Sequence, residues 1–204
     1  MEAPKIHLSN AETEMMLSAD IILTKNRVLE KIRLLLEEVQ EHQLELIKEK
    51  DLKANEIFSV PPKISRGENY LGLPWLILDH PRVSRNDELF FIRSMFWWGR
   101  FFSSTLHLSG RHKNLCEENV AASYKDLRDH SIGMGDDPWV HHFEANNYRK
   151  IGTLTEREFR LRCSETEHLK IAINWPLNPW QEAPSKLFEQ WKFLLGIAGQ
   201  LPRR

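Results

Sequence analysis

The most constraining feature of the sequence is the aromatic segment Asp87 to Gly110, DELFFIRSMFWWGRFFSSTLHLSG, which contains seven aromatic residues. A turn near Trp97-Trp98-Gly99 divides it into two runs, and both are rich in bulky residues that favour β-strands. In the first run, Leu89 to Trp98, both alternating sets of residues are largely apolar. A strand with one face in water alternates apolar and polar residues, so this strand is expected to be covered on both sides.

The second run, Arg100 to Ser109, has one apolar set of alternating residues and one smaller, more polar set. The polar set consists of Phe101, Ser103, Thr105 and His107. This face is expected to line a cavity or to meet a loop. The first strand is expected to be central in a sheet, with the long N-terminal helix, a ligand or a second subunit covering its second face.

Helical periodicity marks the two ends of the chain. Ser9-Asn10-Ala11-Glu12 has the form of a capping box, which predicts a helix from about Asn10. The β-branched residues around Ile22 are expected to break or end this helix. Lys25 to Lys53 predicts one long helix, and Pro184 to Ala198 predicts a C-terminal helix with a wide apolar face.

Between these helices the sequence predicts mainly strands and loops. Lys63 to Leu73 contains two glycines and is interpreted as a loop with short extended pieces, whereas Leu73 to Asp79 is interpreted as a buried strand. Asn114 to Asp129 is interpreted as a short helix or an irregular segment. Within Trp139 to Ile151, alternation from Trp139 to Glu144 suggests a short strand before Asn146-Asn147. Glu156 to Trp175 is interpreted as a second hairpin whose strands each have one face in water.

This order of elements predicts an α+β protein, with an antiparallel sheet of hairpins packed against a long N-terminal helix and a C-terminal helix. The length of 204 residues predicts a single domain. Residues 1–53 are its helical N-terminal part, and residues 63–204 hold the sheet and the last helix. Because βαβ alternation is absent from the pattern, a parallel nucleotide-binding fold is not expected.

Composition argues against several functional classes. Lys and Arg number 28 against 29 Asp and Glu, so a net charge of -1 gives no basic field for nucleic acid or anionic lipid. The apolar runs are too short to span a bilayer, and the N-terminal MEAPKIHLSN lacks the pattern of a signal peptide. Cys116 and Cys163 fit no CxxC motif and are interpreted as reduced thiols. A soluble, cytoplasmic protein that uses neither membrane nor nucleic acid is predicted.

No motif in the sequence specifies a cofactor or a metal. Gly133-Met134-Gly135 lacks the third glycine of a dinucleotide fingerprint and the Lys-Ser/Thr of a phosphate loop. His141-His142-Phe143-Glu144 concentrates possible ligands, but adjacent residues of a strand point to opposite faces. No cofactor and no metal site are therefore predicted, and whether His141 and Glu144 bind metal stays open.

The strongest candidate for a binding residue is Arg93, a charge within an otherwise apolar alternating set. A buried arginine needs a partner, which is either a protein carboxylate such as Asp79 or Glu88, or the anionic group of a ligand. In the second case a small anionic or aromatic molecule is expected between the sheet and the C-terminal helix. The candidate ligand-binding residues are Arg93, Trp97, Trp98, Arg100 and His107.

Two further functional hypotheses remain. A homodimer is expected if one chain leaves an apolar sheet or helix face uncovered. An enzyme, for example a hydrolase, is the alternative to a binding or interaction module, with His107 or His141 in the cleft. No sequence motif identifies catalytic residues.

Overall fold

The computed structural model describes residues 6–201, which form five α-helices and seven β-strands and confirm the α+β class. The first five residues of the segment on which the absence of a signal peptide was predicted lie outside this range. The helices are α1 (Asn10–Leu17), α2 (Ala19–Glu49), α3 (Gly110–Ala122), α4 (Glu156–Glu165) and α5 (Ala183–Ile197). The strands are β1 (Lys63–Tyr70), β2 (Leu73–Arg85), β3 (Glu88–Trp97), β4 (Phe101–Ser109), β5 (Ser131–Gly133), β6 (Tyr148–Lys150) and β7 (His168–Trp175).

The seven strands of the described region form one sheet in the order β1-β2-β3-β4-β7-β5-β6, in which all neighbours run antiparallel. The aromatic segment forms the β3–β4 hairpin, in which Trp97 pairs with Phe101. Gly99 lies in the turn at a φ of 66°, a left-handed conformation that glycine adopts without strain. β3 lies between β2 and β4, so its predicted place inside the sheet is confirmed.

Helices α2 to α5 cover one face of the sheet, called here the helix-covered face. α2 buries Ile32, Leu36 and Val39 in a cluster that includes Phe96 of β3 and Phe102 of β4. Fully burying one such side chain contributes about 1.5–3 kcal/mol to folding. Among residues 6–201, no helix is both long and apolar enough to cross a membrane.

α3, α4 and α5 extend this apolar layer over the rest of the face. Cys116 of α3 and Cys163 of α4 lie in the same core cluster, and both thiols are free and buried. Burial raises the pKa of Cys116 to about 11 and that of Cys163 to about 12. Because the thiolate is the reactive form, both residues act as small apolar core residues.

The predicted second hairpin is wrong in its first half, where α4 lies, and right in its second half, where β7 lies. Thr155 and Glu158 form a capping box at the start of α4. Phe159 and Cys163 are four residues apart and both buried, whereas Leu161 between them is 52% exposed. The alternation in this segment also fits a helix, and the capping box decides in favour of the helix.

Three further boundaries differ from the prediction. The break between the first two helices falls at Ser18, and the residues around Ile22 continue α2. β1 lies where a loop was predicted; Gly67 belongs to it because the indole ring of Trp75 occupies the space a side chain would need. The short strand expected before Asn146-Asn147 is wrong, because residues 139–147 are irregular and β6 begins only at Tyr148.

Candidate functional site

An irregular segment between β5 and β6, residues 134–147, covers the second face of the sheet. This segment is called here the cover loop, and the face beneath it the loop-covered face. Phe143 of the loop stacks on Tyr148 with ring centroids 4.7 Å apart and meets the ring of Phe101 edge-on at 5.2 Å. The second face of β3 is therefore covered by a loop of the same chain, in place of the long helix, a ligand or a second subunit.

Strand register places a polar group at the centre of the loop-covered face. Asp79 of β2 pairs with Arg93 of β3, which pairs with Thr105 of β4. One row away on the same face, His107 of β4 pairs with Lys170 of β7. These five side chains come from four adjacent strands and are brought together by register alone.

Arg93 is held by a protein carboxylate and a histidine. Its Nε and Nη2 donate to Oδ1 and Oδ2 of Asp79 at 2.7 and 2.8 Å, and the two side chains are 15% and 10% exposed. Its Nη1 lies 2.7 Å from Nε2 of His141 in the cover loop. A guanidinium only donates, so this Nε2 accepts and the ring proton of His141 lies on Nδ1. Of the two predicted kinds of partner, the structure shows the internal carboxylate.

Lys170 is the second cation of this face and is 4% exposed. Its Nζ donates to the backbone oxygen of Val140 at 2.7 Å and lies 5.0 Å from the ring centroid of Tyr148. No carboxylate of the described residues lies within ion-pair distance of Nζ. The pKa of Lys170 is lowered to about 8, mainly by burial and also by the positive charge of Arg93. The carboxylate of Asp137 opposes this shift.

Lys113 shows what a buried lysine with a carboxylate partner looks like in the same protein. It is 8% exposed, its Nζ lies 2.7 Å from Oε2 of Glu117, and it also donates to the backbone oxygen of Ser164 at 2.8 Å. Lys170 has the carbonyl partner but lacks the carboxylate. The difference sets Lys170 apart as a buried cation without its own counter-charge.

The two histidines of the cluster are neutral at physiological pH. Burial lowers the pKa of His107 to about 3, and Lys170, His168 and Arg93 add to the shift. Burial and the charge of Arg93 hold the pKa of His141 well below its ordinary value. His107 shares one N–H with His168, with 3.0 Å between its Nε2 and the Nδ1 of His168. The cluster therefore contains two uncharged imidazoles, those of His107 and His141, and two cationic side chains, those of Arg93 and Lys170. Its carboxylate, that of Asp79, is bound to Arg93.

These side chains enclose a cavity of about 10 Å³, lined also by Thr105 and by Trp139 of the cover loop. A cavity of that size has room for about one water molecule. A ligand therefore enters only if the cover loop moves. Trp139 is 48% exposed, and its ring meets that of His107 edge-on at 5.4 Å, so it separates the cavity from solvent.

Three consecutive loop residues are held by side chains of the sheet and its edge. Val140 accepts from Lys170, and the ring of His141 accepts from Arg93. The backbone N–H groups of residues 141 and 142 both donate to Oη of Tyr70, at 2.7 and 3.1 Å. Opening the loop at this point releases donors of both cations at once.

The predicted binding residues do not all meet. Arg93 and His107 line the same cavity, but Trp97 lies further along β3, where its ring packs on Tyr70 at 5.0 Å. Trp98 packs with the cluster of the helix-covered face, and Arg100 is exposed with its guanidinium 5.3 Å from the ring centroid of Trp97. The expected position between sheet and C-terminal helix is wrong for Arg93, because α5 lies on the opposite face.

The sequence prediction missed Lys170, Tyr70 and Tyr148. Lys170 was assigned to a face of β7 in contact with water, which is wrong because Lys170 and Ala172 are both buried. Alternation identified the correct face of the strand, but it did not show that a loop from elsewhere covers that face. Of the residues named for the enzyme alternative, His107 and His141 do line the same cavity.

A larger groove of about 640 Å³ lies at the C-terminal end of α2. Its walls include Ile47, Phe58 and Pro62, and its one buried polar wall residue is His80. Nδ1 of His80 is 3.0 Å from Oε1 of Gln43, and burial lowers the pKa of His80 to about 4. The groove shares no lining residue with the cavity beside Arg93.

Among the described residues, no group of three His, Cys, Asp or Glu side chains is arranged to hold a metal ion. The fold and the site thus define an α+β protein with a buried cluster of basic side chains beneath a loop. No protein-family model matches the chain, and no curated protein matches it significantly. The chain is similar to a solved conserved hypothetical protein from Pyrococcus furiosus, with 11% identity over 85% of this chain and 99% of that one and a TM-score of 0.35. At that level no property is transferred from it.

Proposed function

We propose that this protein binds a small anionic molecule between Lys170 and Arg93 and that the cover loop opens to admit it. The observation that carries the proposal is the burial of Lys170 beside Arg93 without a carboxylate of its own. An unpaired charge in the interior costs several kcal/mol, and an anionic ligand would offset that cost. A buried Lys of this kind is expected in a site that receives its counter-charge from outside.

The hydrogen bonds of the cover loop support the same proposal. The backbone oxygen of Val140 and the Nε2 of His141 are acceptors, and they occupy the positions where acceptor atoms of an anion would meet Lys170 and Arg93. The loop acts as a substitute ligand in the closed state. An anion with two acceptor oxygens replaces both bonds when the loop opens, so exchange leaves no donor of either cation unsatisfied.

An enzyme that uses His107 or His141 as a general base is supported less well. The pKa of His107 is about 3, and Nε2 of His141 already accepts from Arg93, so neither imidazole is an effective base near neutral pH. The sequence-based candidates Trp97, Trp98 and Arg100 have no place in the cluster. Of the sequence-based candidates, Arg93 and His107 stay in the proposed binding site, and Lys170 is added to them.

Titration calorimetry with acetate, lactate, phosphate and benzoate tests the proposal. At least one probe is expected to bind, and Lys170→Met is expected to weaken that binding by about tenfold to a hundredfold, because one charge-assisted hydrogen bond is lost. Lys113→Met is the matched control and is expected to bind like the unmodified protein. Failure of every probe, or equal affinity in Lys170→Met, would overturn the proposal. Native mass spectrometry of the purified protein adds a search for a retained ligand.

We also propose that the protein forms a homodimer through α1 and the start of α2. Six apolar side chains there are 44–75% exposed: Met15, Met16, Leu17, Ile21, Ile22 and Leu23. Acidic residues precede these apolar side chains in the sequence, namely Glu12 and Glu14. Basic residues follow them, namely Arg27 and Lys31. Antiparallel pairing of two copies would place acidic against basic residues around a shared apolar centre.

Light scattering tests the proposed dimer. A mass of two chains is expected for the unmodified protein and a mass of one chain for Ile22→Glu. Leu161→Glu changes an equally exposed apolar residue on α4 and is expected to leave the dimer intact. A monomeric unmodified protein would rule the dimer out.

The proposed location is the cytoplasm. Cys116 and Cys163 are both free thiols, which is the usual state of cysteines in a reducing compartment. Fractionation of the source cells followed by immunodetection tests this location, and recovery in a membrane or secreted fraction would contradict it.

A further inference from the structure

The two buried lysines of the described region differ in a way that suggests chemistry beyond anion binding. Lys113 has Glu117 as its ion-pair partner, with 2.7 Å between Nζ and Oε2. Lys170 has a carbonyl oxygen and an aromatic ring around its Nζ. Its charged neighbours are the guanidinium of Arg93 and, beyond ion-pair distance, the carboxylate of Asp137. Desolvation beside a second cation is the arrangement that turns a lysine amine into a nucleophile.

We propose that Lys170 forms a reversible Schiff base with the carbonyl carbon of a small 2-oxo acid whose carboxylate is bound by Arg93. This inference rests on the proposed anion site and specifies the class of anion that the site accepts. It assigns Nζ of Lys170 as the atom that bonds to the ligand and Nη1 of Arg93 as the donor that orients it.

The positions of the loop acceptors support a short ligand. Lys170 donates to the backbone oxygen of Val140, and Arg93 donates to the ring of His141, the next residue along the chain. The amine and the guanidinium both line one small cavity. A 2-oxo acid carries its carboxylate next to its carbonyl carbon, so it is a short ligand that offers one group to each of them.

The surroundings also favour the neutral amine that the reaction requires. Arg93 on β3, His107 on β4, Tyr148 on β6, and Asp137 and His141 on the cover loop are the titratable or charged groups facing it. The pKa of Lys170 is about 8, against an ordinary value of 10.5. At neutral pH this raises the share of neutral amine by more than about a hundredfold over an exposed lysine.

The chemical step balances without an oxidant or a reductant. The lone pair of Nζ attacks the carbonyl carbon, a C–N bond forms, and the carbonyl oxygen takes a proton that leaves the amine. The resulting hydroxyl takes the second proton of the amine and leaves as water, which breaks the C–O bond while the nitrogen lone pair forms the C=N bond. Hydroxyl groups for the proton transfer are at hand, because Thr105 lines the cavity and lies beside the phenol of Tyr148. Addition of water reverses the reaction and releases the oxo acid.

Reductive trapping tests the inference directly. The full chain is incubated with pyruvate or glyoxylate and sodium cyanoborohydride from about pH 6 to about pH 9, and modified lysines are located by peptide mass spectrometry. Lys170 is expected to carry at least about tenfold more adduct than exposed lysines, given its larger neutral share. Adduct on Lys170 that does not exceed the level on exposed lysines would overturn the inference.

Matched variants and probes separate the role of each group. Lys170→Arg, which retains a cation, is expected to lose the adduct, whereas Lys113→Arg is expected to retain it. Acetone, a carbonyl compound without a carboxylate, is expected to label Lys170 at least about tenfold less than pyruvate, since Arg93 has nothing to bind. Equal labelling by acetone would show that Arg93 does not orient the ligand and would overturn the assignment.

Binding of lactate distinguishes failure of this inference from failure of the proposed function. Lactate has the carboxylate but no carbonyl group, so it reports the anion site without the covalent step. If lactate binds and pyruvate leaves no adduct on Lys170, the Schiff base is overturned and the anion site is retained. If acetate, lactate, phosphate and benzoate all fail to bind and pyruvate leaves no adduct, both proposals are overturned.

Discussion

Arg93 and Asp79 face each other across β3 and β2 and form an ion pair with two hydrogen bonds, Nε to Oδ1 at 2.7 Å and Nη2 to Oδ2 at 2.8 Å. The pair lies beneath the cover loop, and Asp79 is the protein carboxylate that was expected as one possible partner of a buried Arg93. It also leaves Nη1 as the donor of this guanidinium that points away from the carboxylate, toward His141.

Breaking this pair is expected to destabilise the protein. Asp79→Asn should lower the free energy of unfolding by about 3–5 kcal/mol, because Arg93 is left buried without a counter-charge. Urea denaturation measures the change. Replacing both residues, as Asp79→Leu with Arg93→Met, should restore much of the loss. Glu156→Gln breaks the exposed pair with Arg160 and should cost less than about 1 kcal/mol. Equal effects of the two single changes would contradict the buried pair.

Lys170 is expected to make stability depend on pH in the alkaline range. Its pKa is about 8 in the folded protein against 10.5 ordinarily, so between these values the unfolded chain binds more protons and the free energy of unfolding rises with pH. Below about pH 8 the full penalty applies, up to about 3 kcal/mol.

Urea denaturation at a series of pH values checks this dependence. Lys170→Met removes the charge, so its stability relative to the unmodified protein should be highest near neutral pH and should decline above about pH 8. Lys113→Met, whose parent residue has Glu117 as a partner, serves as the control. A constant difference between Lys170→Met and the unmodified protein across the series would show that Lys170 does not titrate there.

Tyr70 is expected to control opening of the cover loop. Its Oη accepts from the backbone N–H groups of His141 and His142, so Tyr70→Phe leaves two donors unsatisfied in the closed state. The cost of about 1–3 kcal/mol should speed amide exchange within residues 134–147 by about tenfold or more. Hydrogen exchange with mass spectrometry measures this.

The matched control for Tyr70 is Tyr124→Phe. Oη of Tyr124 donates to the backbone oxygen of Leu154, away from the loop, so this change should leave exchange in residues 134–147 unaltered. If Tyr70→Phe and Tyr124→Phe exchange alike, the loop is not held by Tyr70.

Thr155 is expected to stabilise α4 through its cap. Thr155→Ala should lower the free energy of unfolding by about 1 kcal/mol, because the N–H of Glu158 loses its acceptor. Thr155→Ser keeps the hydroxyl and should have little effect. Thermal unfolding with circular dichroism compares the two variants. A Thr155→Ala protein as stable as the Ser variant would remove the support for the capping box.

For the aromatic segment, the local sequence predicted which strand faces would be covered. The two faces of β3 are both covered, as its doubly apolar pattern predicted, and the polar set of β4 meets a loop, one of the two expected outcomes. In a strand, residues i and i+2 point to the same face, so the composition of each face can be predicted from the local sequence. The strand predicted where α4 lies is wrong, because alternating and helical spacing overlap over few residues. The capping box of Thr155 and Glu158 is the feature that favours the helix.

The candidate site could be predicted only in part. Arg93 stood out because one charge interrupted an apolar set, and Asp79 was among its expected partners. Lys170 gave no such signal, since a lysine in an alternating strand is also the ordinary pattern of a face in water. Its burial depends on the cover loop, which lies more than twenty residues away in sequence.

The sequence by itself determined the α+β class, the long α2 and α5, the β3–β4 hairpin and the need of Arg93 for a partner, because local periodicity and the cost of burying a charge act residue by residue. Only the tertiary structure decided which cations meet. Register across β2, β3, β4 and β7 and closure of the cover loop put Lys170 beside Arg93 and leave Lys170 without a carboxylate. These are contacts between distant parts of the chain, and no local pattern encodes them.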